Sequence, residues 1–193
     1  MTRDPSNGYE SLAQEFITSR QQSTIGAATV ARWAATLPPG SSVIDLACGP
    51  GIPITQTLIE AGLLVHAIDA SPTMVRAFAG RFPRVPVACE SIETSTFFGR
   101  TFDAAVAWGL MFLLPADSQA LAIRRVSSAL RPGGRFLFTA PSQVGTWSDL
   151  LTGLESVSLG REAYMRVLSG AGFTLLNEFD DEGENHYYDV LKA

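Results

Sequence analysis

The sequence predicts an α/β fold: a doubly wound, mostly parallel sheet of seven strands that ends in an antiparallel hairpin strand. Short apolar runs alternate with longer segments of helical period along most of the chain, as in consecutive strand–helix–strand units. Several of these runs are apolar on both sides, which is typical of strands covered by helices on both faces. Near the end, two apolar runs flank the polar stretch "DDEGEN", which indicates the hairpin.

The elements follow in order along the chain. The five predicted parallel strands are 42–48, 63–69, 85–89, 102–108 and 135–140. The helices predicted between them are 53–61, 72–82 and 117–130. Asp117 is the predicted N-cap of the last of these helices, and Pro132-Gly133-Gly134 is its predicted stop. A terminal helix at 161–170 then leads into the hairpin strands at 173–179 and 186–191.

No predicted strand precedes residues 9–37, which show two amphipathic helical stretches. We expect them to cover an edge of the sheet or to close over a site at its top. The chain is therefore predicted to be one domain in three parts, namely a helical cap at 1–38, a ligand-binding core at 40–140 and an insert with the terminal hairpin at 141–193.

Composition excludes several classes of protein. Hydrophobic residues make up 46% of the chain and charged residues 17%, which indicates a globular protein rather than a disordered one. The net charge of −5 without a basic run argues against nucleic acid or an anionic membrane as partner. Without an apolar targeting segment, and with two cysteines expected to be free thiols, the protein is predicted to be soluble and cytoplasmic, as monomer or homodimer.

The stretch "VIDLACGPGIPI" at 43–54 carries the first functional signal. Gly49 and Gly51 follow the first strand, and ligands of open α/β sheets bind beyond the carboxyl ends of the strands. Glycines at this place remove the Cβ atoms that would hold a ligand away and expose N–H groups at the start of a helix. Taken alone, the two glycines could equally serve only a tight turn.

Asp69 gives the second signal. It ends the second strand, 18 residues after Gly51, where a carboxylate can accept both hydroxyls of a ribose. The alternative is an N-cap for the next helix, a role that Ser71 also suits. Together the two signals indicate a nucleoside-containing cofactor. Ile54 occupies the third glycine position of the dinucleotide fingerprint, and Asp45 suits an ammonium better than a phosphate, so a dinucleotide is disfavoured.

Four stretches carry a resemblance to a known family. "VIDLACGPG", "AIDASPTMV", "FDAAVAWGLMFLL" and "LRPGGRFLF" resemble the successive motifs of class I S-adenosylmethionine (SAM)-dependent methyltransferases, which have a Rossmann-like fold, over about residues 40–140. The chain is most similar in character to compact enzymes of the ubiquinone/menaquinone C-methyltransferase type. One departure is Ala47, where that family more often has a glycine. The resemblance implies SAM as cofactor, S-adenosylhomocysteine as product and a small-molecule methyl acceptor.

The resemblance also implies roles for individual residues by position. Asp45 and Gly49 would face the methionine part, which Arg20 could bind through its carboxylate, and Asp69 would face the ribose. Ala70 and Met74 would flank the adenine ring, and Glu90, with Ser91 and Ile92, would meet it, Glu90 binding the exocyclic amine. Ala107 and Trp108 would lie beside the methionine part and the reacting methyl group, and the implied contacts also include Ala47 and Gly51. The alternatives are a solvated loop carboxylate for Glu90 and an exposed surface cation for Arg20.

Methyl transfer from a sulfonium is an in-line displacement, so the protein mainly has to position the acceptor and exclude water. No nucleophilic residue is required, and the sequence shows no metal-ligand pattern. The weak candidates for a catalytic role are His186, as a general base, and Tyr9, as a residue of the acceptor cavity. Two rival functions stay open, a non-catalytic SAM-binding protein and a nucleotide-linked oxidoreductase.

Aromatic side chains are the candidates for the acceptor pocket. Trp108 could place its ring beside the sulfonium in a cation–π contact. Met111 and Phe112 line either the pocket or the core, and Trp147, within the insert at 142–160, either covers the pocket or anchors the insert.

Overall fold

A seven-stranded sheet runs through the centre of the computed structural model, which describes residues 4–193; the first three residues of the predicted cap lie outside this range. The strands of this sheet are β1 (Ser42–Leu46), β2 (Leu64–Asp69), β3 (Val87–Cys89), β4 (Phe102–Ala107), β5 (Leu130–Thr139), β8 (Phe173–Asp180) and β9 (His186–Lys192). A separate hairpin consists of β6 (Val144–Ser148) and β7 (Glu155–Leu159).

The strand order of the sheet is β3-β2-β1-β4-β5-β9-β8. The first five strands pair in parallel, and β9 pairs antiparallel with both β5 and β8. The predicted sheet of seven strands with an antiparallel hairpin strand is thus confirmed. Because the chain first builds outward from β1 to β3 and then returns to the other side of β1, the strand order reverses between β1 and β4.

Six helices cover the sheet: α1 (Ala13–Arg20), α2 (Ala27–Ala34), α3 (Ile54–Glu60), α4 (Pro72–Arg81), α5 (Ala116–Ala129) and α6 (Arg161–Gly170). Two buried clusters lie on opposite faces of the sheet. In one, Ile123 of α5 and Leu168 of α6 pack with side chains such as Phe136. In the other, Trp33 of α2 and Leu58 of α3 pack with further strand residues. Helices therefore cover both faces, as predicted.

β1 shows why the central strands consist of consecutive, mostly apolar residues. All five of its residues are buried, since its neighbours β2 and β4 and the helices on both faces exclude water. Asp45 is the single carboxylate on this strand. Placing a charged group in this position is costly unless it serves a ligand or has partners.

One local prediction was wrong. Asp117 does not cap α5, because the helix already begins at Ala116, after Pro115, and no side chain caps it. Asp117 instead lies in the first turn, where its negative charge still interacts favourably with the helix dipole. The insert at 142–160, to which the sequence analysis assigned no element, contains the β6–β7 hairpin.

Within residues 4–193, none of the helices is long and apolar enough to cross a membrane. The same part of the chain contains no group of three or more His, Cys, Asp or Glu side chains that could hold a metal ion.

Candidate active site

A cavity of about 770 Å³ lies beside the carboxyl ends of β1, β2 and β4. This is the point at which the strand order reverses, the usual ligand site of open α/β sheets. Its walls are the bend after β1, the segment from Pro5 to α1, the loop after β4, the β6–β7 hairpin and the loop between β8 and β9. The cap and the C-terminal segments thus enclose the site from above.

The bend after β1 contains three residues with left-handed backbone, Ala47 (φ +56°), Gly49 (φ +54°) and Gly51 (φ +82°). Ala47 and Gly49 line the cavity. Gly51 does not, contrary to the prediction. A Cβ atom on Gly51 would lie 2.4 Å from the ring of Phe82 and 3.0 Å from that of Phe78. Gly51 is therefore required by the packing of α4 against the bend.

Ala47 adopts a conformation that costs an L-residue with a Cβ roughly 1–2 kcal/mol. The backbone at this position is the one that a glycine would adopt without strain. This explains in physical terms why a glycine is the commoner residue in the motif that the sequence resembles. The alanine is accommodated because its side chain packs against the buried cluster below the bend.

Asp69 connects the bend to β2 and borders the cavity. Its Oδ2 accepts the Gly49 N–H at 2.8 Å, and its Oδ1 accepts the Ser71 N–H at 2.8 Å. Each carboxylate oxygen has a second lone pair for a ligand hydroxyl. Ser71 provides the N-cap of α4, since its Oγ accepts the Met74 N–H at 3.1 Å, so the capping alternative for Asp69 does not hold.

Asp45 is buried at the floor of the cavity. Burial raises the pKa of its carboxyl to about 7, against a lowering by the Thr55 hydroxyl, which donates a hydrogen bond to Oδ2, and with a further rise from the charge of Asp69. Burial likewise raises the pKa of Asp69. A cationic ligand group at this place would favour the ionised form of both carboxyls.

The residues predicted to meet the adenine ring come together on one side of the cavity. They are Ala70, Met74, Glu90, Ser91 and Ile92. Met74 is buried against the cap, where it packs with Ala13 and Ile17 of α1. Glu90 accepts the Thr96 N–H at 3.1 Å through Oε2, so one of its oxygens is already engaged by its own loop.

At the end of β4, successive side chains point to different places. Ala107 is buried in the core cluster that includes α5 and does not line the cavity, because neighbouring residues of a strand face opposite ways. Trp108 lines the cavity, and its Nε1 donates to Tyr187 Oη at 2.7 Å. The prediction for Ala107 is thus wrong in its placement.

Arg20, at the end of α1, also lines the cavity. Its guanidinium carbon lies 4.6 Å from the ring centroid of Trp108 and 5.0 Å from that of Phe16. The cation that lies over the ring of Trp108 in this structure is therefore Arg20, whereas the sequence analysis predicted a sulfonium beside this ring. Burial lowers the pKa of the guanidinium, and among the described residues no carboxylate forms an ion pair with it. Arg20 is thus placed to bind an anionic ligand group.

Tyr9 and the β6–β7 hairpin meet on the acceptor side. The Tyr9 hydroxyl donates to Asp149 Oδ2 at 3.1 Å, which joins the cap to the loop of the hairpin. Burial first, and then the charge of Asp149, raise the pKa of the phenol, so Tyr9 stays a hydrogen-bond donor. Phe112 and Trp147 line the cavity with ring centroids 5.7 Å apart, whereas Met111 is buried in the core.

His186 borders the cavity, but carboxylates engage its ring. Nδ1 lies 2.6 Å from Asp180 Oδ1, and Nε2 lies 3.5 Å from Glu178 Oε1. Nε2 is buried, so this nitrogen does not present itself to a ligand. The geometry therefore weakens the case for His186 as general base.

The cavity is rich in acid. Arg20 is the only Lys or Arg among the described residues that line it. The carboxylates on its wall are Asp45, Asp69, Glu90, Asp149, Asp180, Asp181 and Glu184.

Sequence reasoning missed several contacts at the site. Thr55, Asp149 and Tyr187 hydrogen-bond to Asp45, Tyr9 and Trp108, from 10, 140 and 79 residues away in the chain. Only the position of Thr55, in the first turn after the bend, offered a local signal. The other two partners come together through the tertiary fold.

Comparisons with known proteins agree with this geometry. A family model described as a methyltransferase domain matches residues 43–134. A demethylmenaquinone methyltransferase of Corynebacterium kroppenstedtii is 36% identical over 98 residues, which cover 50% of this chain and 40% of that protein. The chain thus spans about two-fifths of the length of this relative.

Two solved structures share the fold. One is SAM-bound CalS10, an amino pentose methyltransferase from Micromonospora echinaspora, with a TM-score of 0.72 at 17% identity. The superposition covers 94% of this chain and 97% of the CalS10 chain. The cyclase SpnF has a TM-score of 0.70 at 18% identity, with 86% and 79% covered.

The chain shares the fold of the SAM-bound methyltransferase structure, and the methyltransferase-domain model matches the segment that contains the bend and its partner aspartate. The curated relatives that it matches include demethylmenaquinone methyltransferases, and the match to the one from Corynebacterium kroppenstedtii extends over half of the chain.

Proposed function

We propose that this protein binds SAM and transfers its methyl group to a small-molecule acceptor, with S-adenosylhomocysteine as the product. The observation that carries the proposal is the cavity at the strand reversal, on whose wall Asp45, Gly49 and Asp69 lie in sequence from β1 to β2. The relative named as a demethylmenaquinone methyltransferase supports the same reaction class.

The residues present fit the cofactor by their chemistry. Asp45 offers a carboxylate to the methionine ammonium, and Arg20, which forms no ion pair with another residue of the range 4–193, offers a cation to the methionine carboxylate. Asp69 has lone pairs left for the two ribose hydroxyls. Ala70, Met74, Ser91 and Ile92, which line the cavity, would hold the adenine ring, and Glu90 would accept a hydrogen bond from the exocyclic amine through its remaining oxygen.

Bound SAM supplies a sulfonium methyl group that is already activated. The chain then has to hold an acceptor atom in line with that methyl and to exclude water. Trp108, Phe112 and Trp147 provide an apolar wall for this purpose, and the Tyr9–Asp149 hydrogen bond closes the wall from above. Because Asp180 occupies Nδ1 of His186 and its Nε2 is buried away from the cavity, the acceptor that fits best needs no strong base, such as a neutral amine or an activated carbon.

Two rival functions are disfavoured. A non-catalytic SAM-binding protein needs no room for an acceptor, but this cavity continues past Trp108 to Trp147 and His186. A nucleotide-linked oxidoreductase would bring phosphates to the bend, where Asp45 and the acid-rich wall would repel them. The acid-rich wall also supports a small molecule, rather than a nucleic acid, as the acceptor. We further infer a cytoplasmic protein, since Cys48 and Cys89 are free thiols.

Calorimetric titration with SAM, S-adenosylhomocysteine and NAD tests the proposal. We expect both adenosyl ligands to bind and NAD not to bind. Tight binding of NAD without any response to SAM would refute the assignment. Binding of SAM without transfer to any of a panel of amine, phenol and quinol acceptors would favour the non-catalytic protein.

Asp69→Asn is the sharpest variant for the cofactor site. The substitution keeps the size of the side chain but removes one acceptor oxygen and the charge. We expect SAM to bind more weakly by roughly 1.5–3 kcal/mol, the order for losing hydrogen bonds to a charged acceptor. Calorimetry measures the loss. Asp117→Asn, an exposed aspartate on α5, is the matched control, and equal affinities in the two variants would mean that the ribose is held elsewhere.

A further inference from the structure

Tyr187 joins the C-terminal hairpin to the wall of the cavity. It lies on β9, it is 1% exposed, and its hydroxyl stands between two partners. Oη accepts the Trp108 Nε1–H at 2.7 Å and donates to Asp181 Oδ2 at 2.8 Å. The indole of Trp108 is therefore tied, through one phenol, to the loop between β8 and β9.

The surroundings leave this pair of rings little freedom. The ring of Phe179 stacks on that of Tyr187 with centroids 5.3 Å apart. On the other side, the backbone of Gly26 approaches so closely that a Cβ atom there would lie 2.8 Å from both Trp108 Nε1 and Tyr187 Oη. The Gly26 N–H in turn donates to Glu182 Oε1 at 3.0 Å. The start of α2, Trp108 and Tyr187 thus form one packed unit.

Arg20 depends on this unit for its position. Its guanidinium lies over the ring of Trp108 at 4.6 Å, and within residues 4–193 no carboxylate holds it. A long, flexible cation without an ion-pair partner keeps its place through packing alone. The rings of Trp108 and Phe16 both contact the guanidinium, with Trp108 nearer, so we expect a change in the angle of the indole to shift it.

We propose that Tyr187 is a positioning residue for the amino-acid end of the cofactor: its hydroxyl fixes the indole of Trp108, and the indole fixes Arg20 where the methionine carboxylate binds. The proposal rests on the proposed function. Tyr187 itself does not line the cavity and acts only through Trp108. The hairpin of β8 and β9, which lies far along the chain from the bend, would thereby set the affinity for the cofactor.

Tyr187→Phe tests this inference because it removes only the hydroxyl and keeps the ring stacked on Phe179. Two ligands are compared by calorimetry: S-adenosylhomocysteine, and 5′-methylthioadenosine, which has the adenosine and the sulfur but no amino-acid carboxylate. We expect S-adenosylhomocysteine to bind roughly three- to tenfold more weakly, the order of one lost hydrogen bond. Methylthioadenosine should bind to the variant as it does to the parent protein.

Tyr188→Phe is the matched control. Tyr188 is the next residue of β9, it is fully buried, and its hydroxyl has no hydrogen-bond partner. Its removal should leave the affinity for both ligands unchanged. An effect of general loosening of the hairpin would appear in both variants and with both ligands, and that result would overturn the proposal.

A double-mutant cycle with Arg20→Gln gives a second, independent test. Because Tyr187 is proposed to act through Arg20, Tyr187→Phe should cause no further loss of S-adenosylhomocysteine affinity once Arg20 is replaced. Additive losses would overturn the proposal, as would an unchanged affinity in Tyr187→Phe alone. Failure of the parent protein to bind SAM would instead refute the proposed function, so the two failures are distinguishable.

Discussion

Asp45 is buried below the bend, and its pKa is raised to about 7, chiefly by burial. In the ligand-free protein, part of its population is therefore protonated near neutral pH. The proposed ligand group, an ammonium, binds the ionised form. The same burial that makes the carboxylate costly to the free protein makes its attraction for a cation strong.

Asp45→Asn tests whether the buried carboxylate lowers the stability of the ligand-free protein and strengthens the binding of the ligand. Because the pKa of Asp45 is higher in the folded than in the unfolded state, the stability of the ligand-free protein should fall as pH rises from about 4 to about 7. Above that pH the carboxylate is ionised and the loss of stability is complete. We expect the asparagine variant to unfold at a higher temperature than the parent at pH 8, since the amide oxygen can still accept from Thr55. It should also bind S-adenosylhomocysteine at least about tenfold more weakly, the order of losing a charged hydrogen bond.

The pH dependence of binding provides the internal control for that variant. In the parent protein, affinity for S-adenosylhomocysteine should fall as pH is lowered from 8 to 6, because protons compete with the ammonium for Asp45. In Asp45→Asn this part of the dependence should disappear. Parallel pH profiles in the two proteins would show that Asp45 does not meet the ammonium.

Ala47 permits a prediction about backbone strain. Ala47→Gly relieves the left-handed strain but increases the freedom of the unfolded chain, so the net change in the free energy of unfolding should lie within about 1 kcal/mol of zero. Ala47→Val adds a branched side chain at the same φ of +56° and should destabilise by more than about 1.5 kcal/mol. Urea unfolding measures both. Equal free energies of unfolding for Ala47→Gly and Ala47→Val would mean that the backbone of the bend changes its conformation at no cost.

At the residue scale, the sequence predicted those site residues whose role follows from strand ends. Asp69 and Gly49 hydrogen-bond to each other across the ends of β2 and β1, as the spacing of the motif indicates. Gly51, placed at the cavity by its position after β1, and Ala107, placed there by the resemblance, do not line it. Gly51 packs against Phe82 and Phe78, and the side chain of Ala107 faces the core.

At the scale of elements, one of the attachments between the cap and the core is the carboxylate of Glu10, which binds the start of α4. Glu10 accepts hydrogen bonds from the Thr73 N–H at 3.0 Å, from Thr73 Oγ1 at 2.7 Å and from Ser71 Oγ. These groups form the start of α4, where a negative charge is favourable. The hydrogen bonds from Ser71 and Thr73 lower the pKa of Glu10.

Glu10→Gln should loosen the cap while the sheet remains intact. One acceptor oxygen and the charge are lost, so we expect faster amide hydrogen exchange in residues 9–20 and unchanged exchange in β1 and β4. Glu15→Gln, at an exposed position of α1, is the control. Because the folded-state pKa of Glu10 is lowered, the parent cap should also loosen as pH falls through that pKa. Equal exchange in all three proteins would exclude this attachment.

The elements that the sequence missed, β6 and β7, contain no fully buried apolar side chain, and the buried residues of β7 are Ser156 and Ser158. In β6, four of five residues are exposed, so its residues show no alternation of apolar and polar side chains that could reveal a strand. β1 and β4, in contrast, are almost entirely buried and were predicted nearly to the residue. Composition cannot show an exposed hairpin, because its stability comes from contacts such as that between Trp147 and Phe112.

At the scale of the whole molecule, the cavity joins parts of the chain that lie far apart in sequence. A ligand that contacts the cap, the bend, β2 and the loop after β4 binds only the folded protein, and it stabilises that state by about 2.7 kcal/mol at a concentration of 100 times Kd. For a chain of 193 residues, this predicts that S-adenosylhomocysteine raises Tm by roughly 5–10 °C.

NAD at the same concentration is the matched comparison for this thermal measurement. We expect no rise of Tm with NAD, because its phosphates would meet the carboxylates around the bend. A larger shift with NAD than with S-adenosylhomocysteine would contradict both the site and the proposed reaction.

The acid-rich wall around Arg20 has a consequence for turnover. Methyl transfer turns a positively charged sulfonium into a neutral thioether, and so the bound molecule loses the charge that its surroundings favour. If the proposed reaction takes place, S-adenosylhomocysteine should therefore bind less tightly than SAM and leave the site more readily after the transfer. Added salt should narrow that difference in affinity, since it screens the carboxylates that open to solvent.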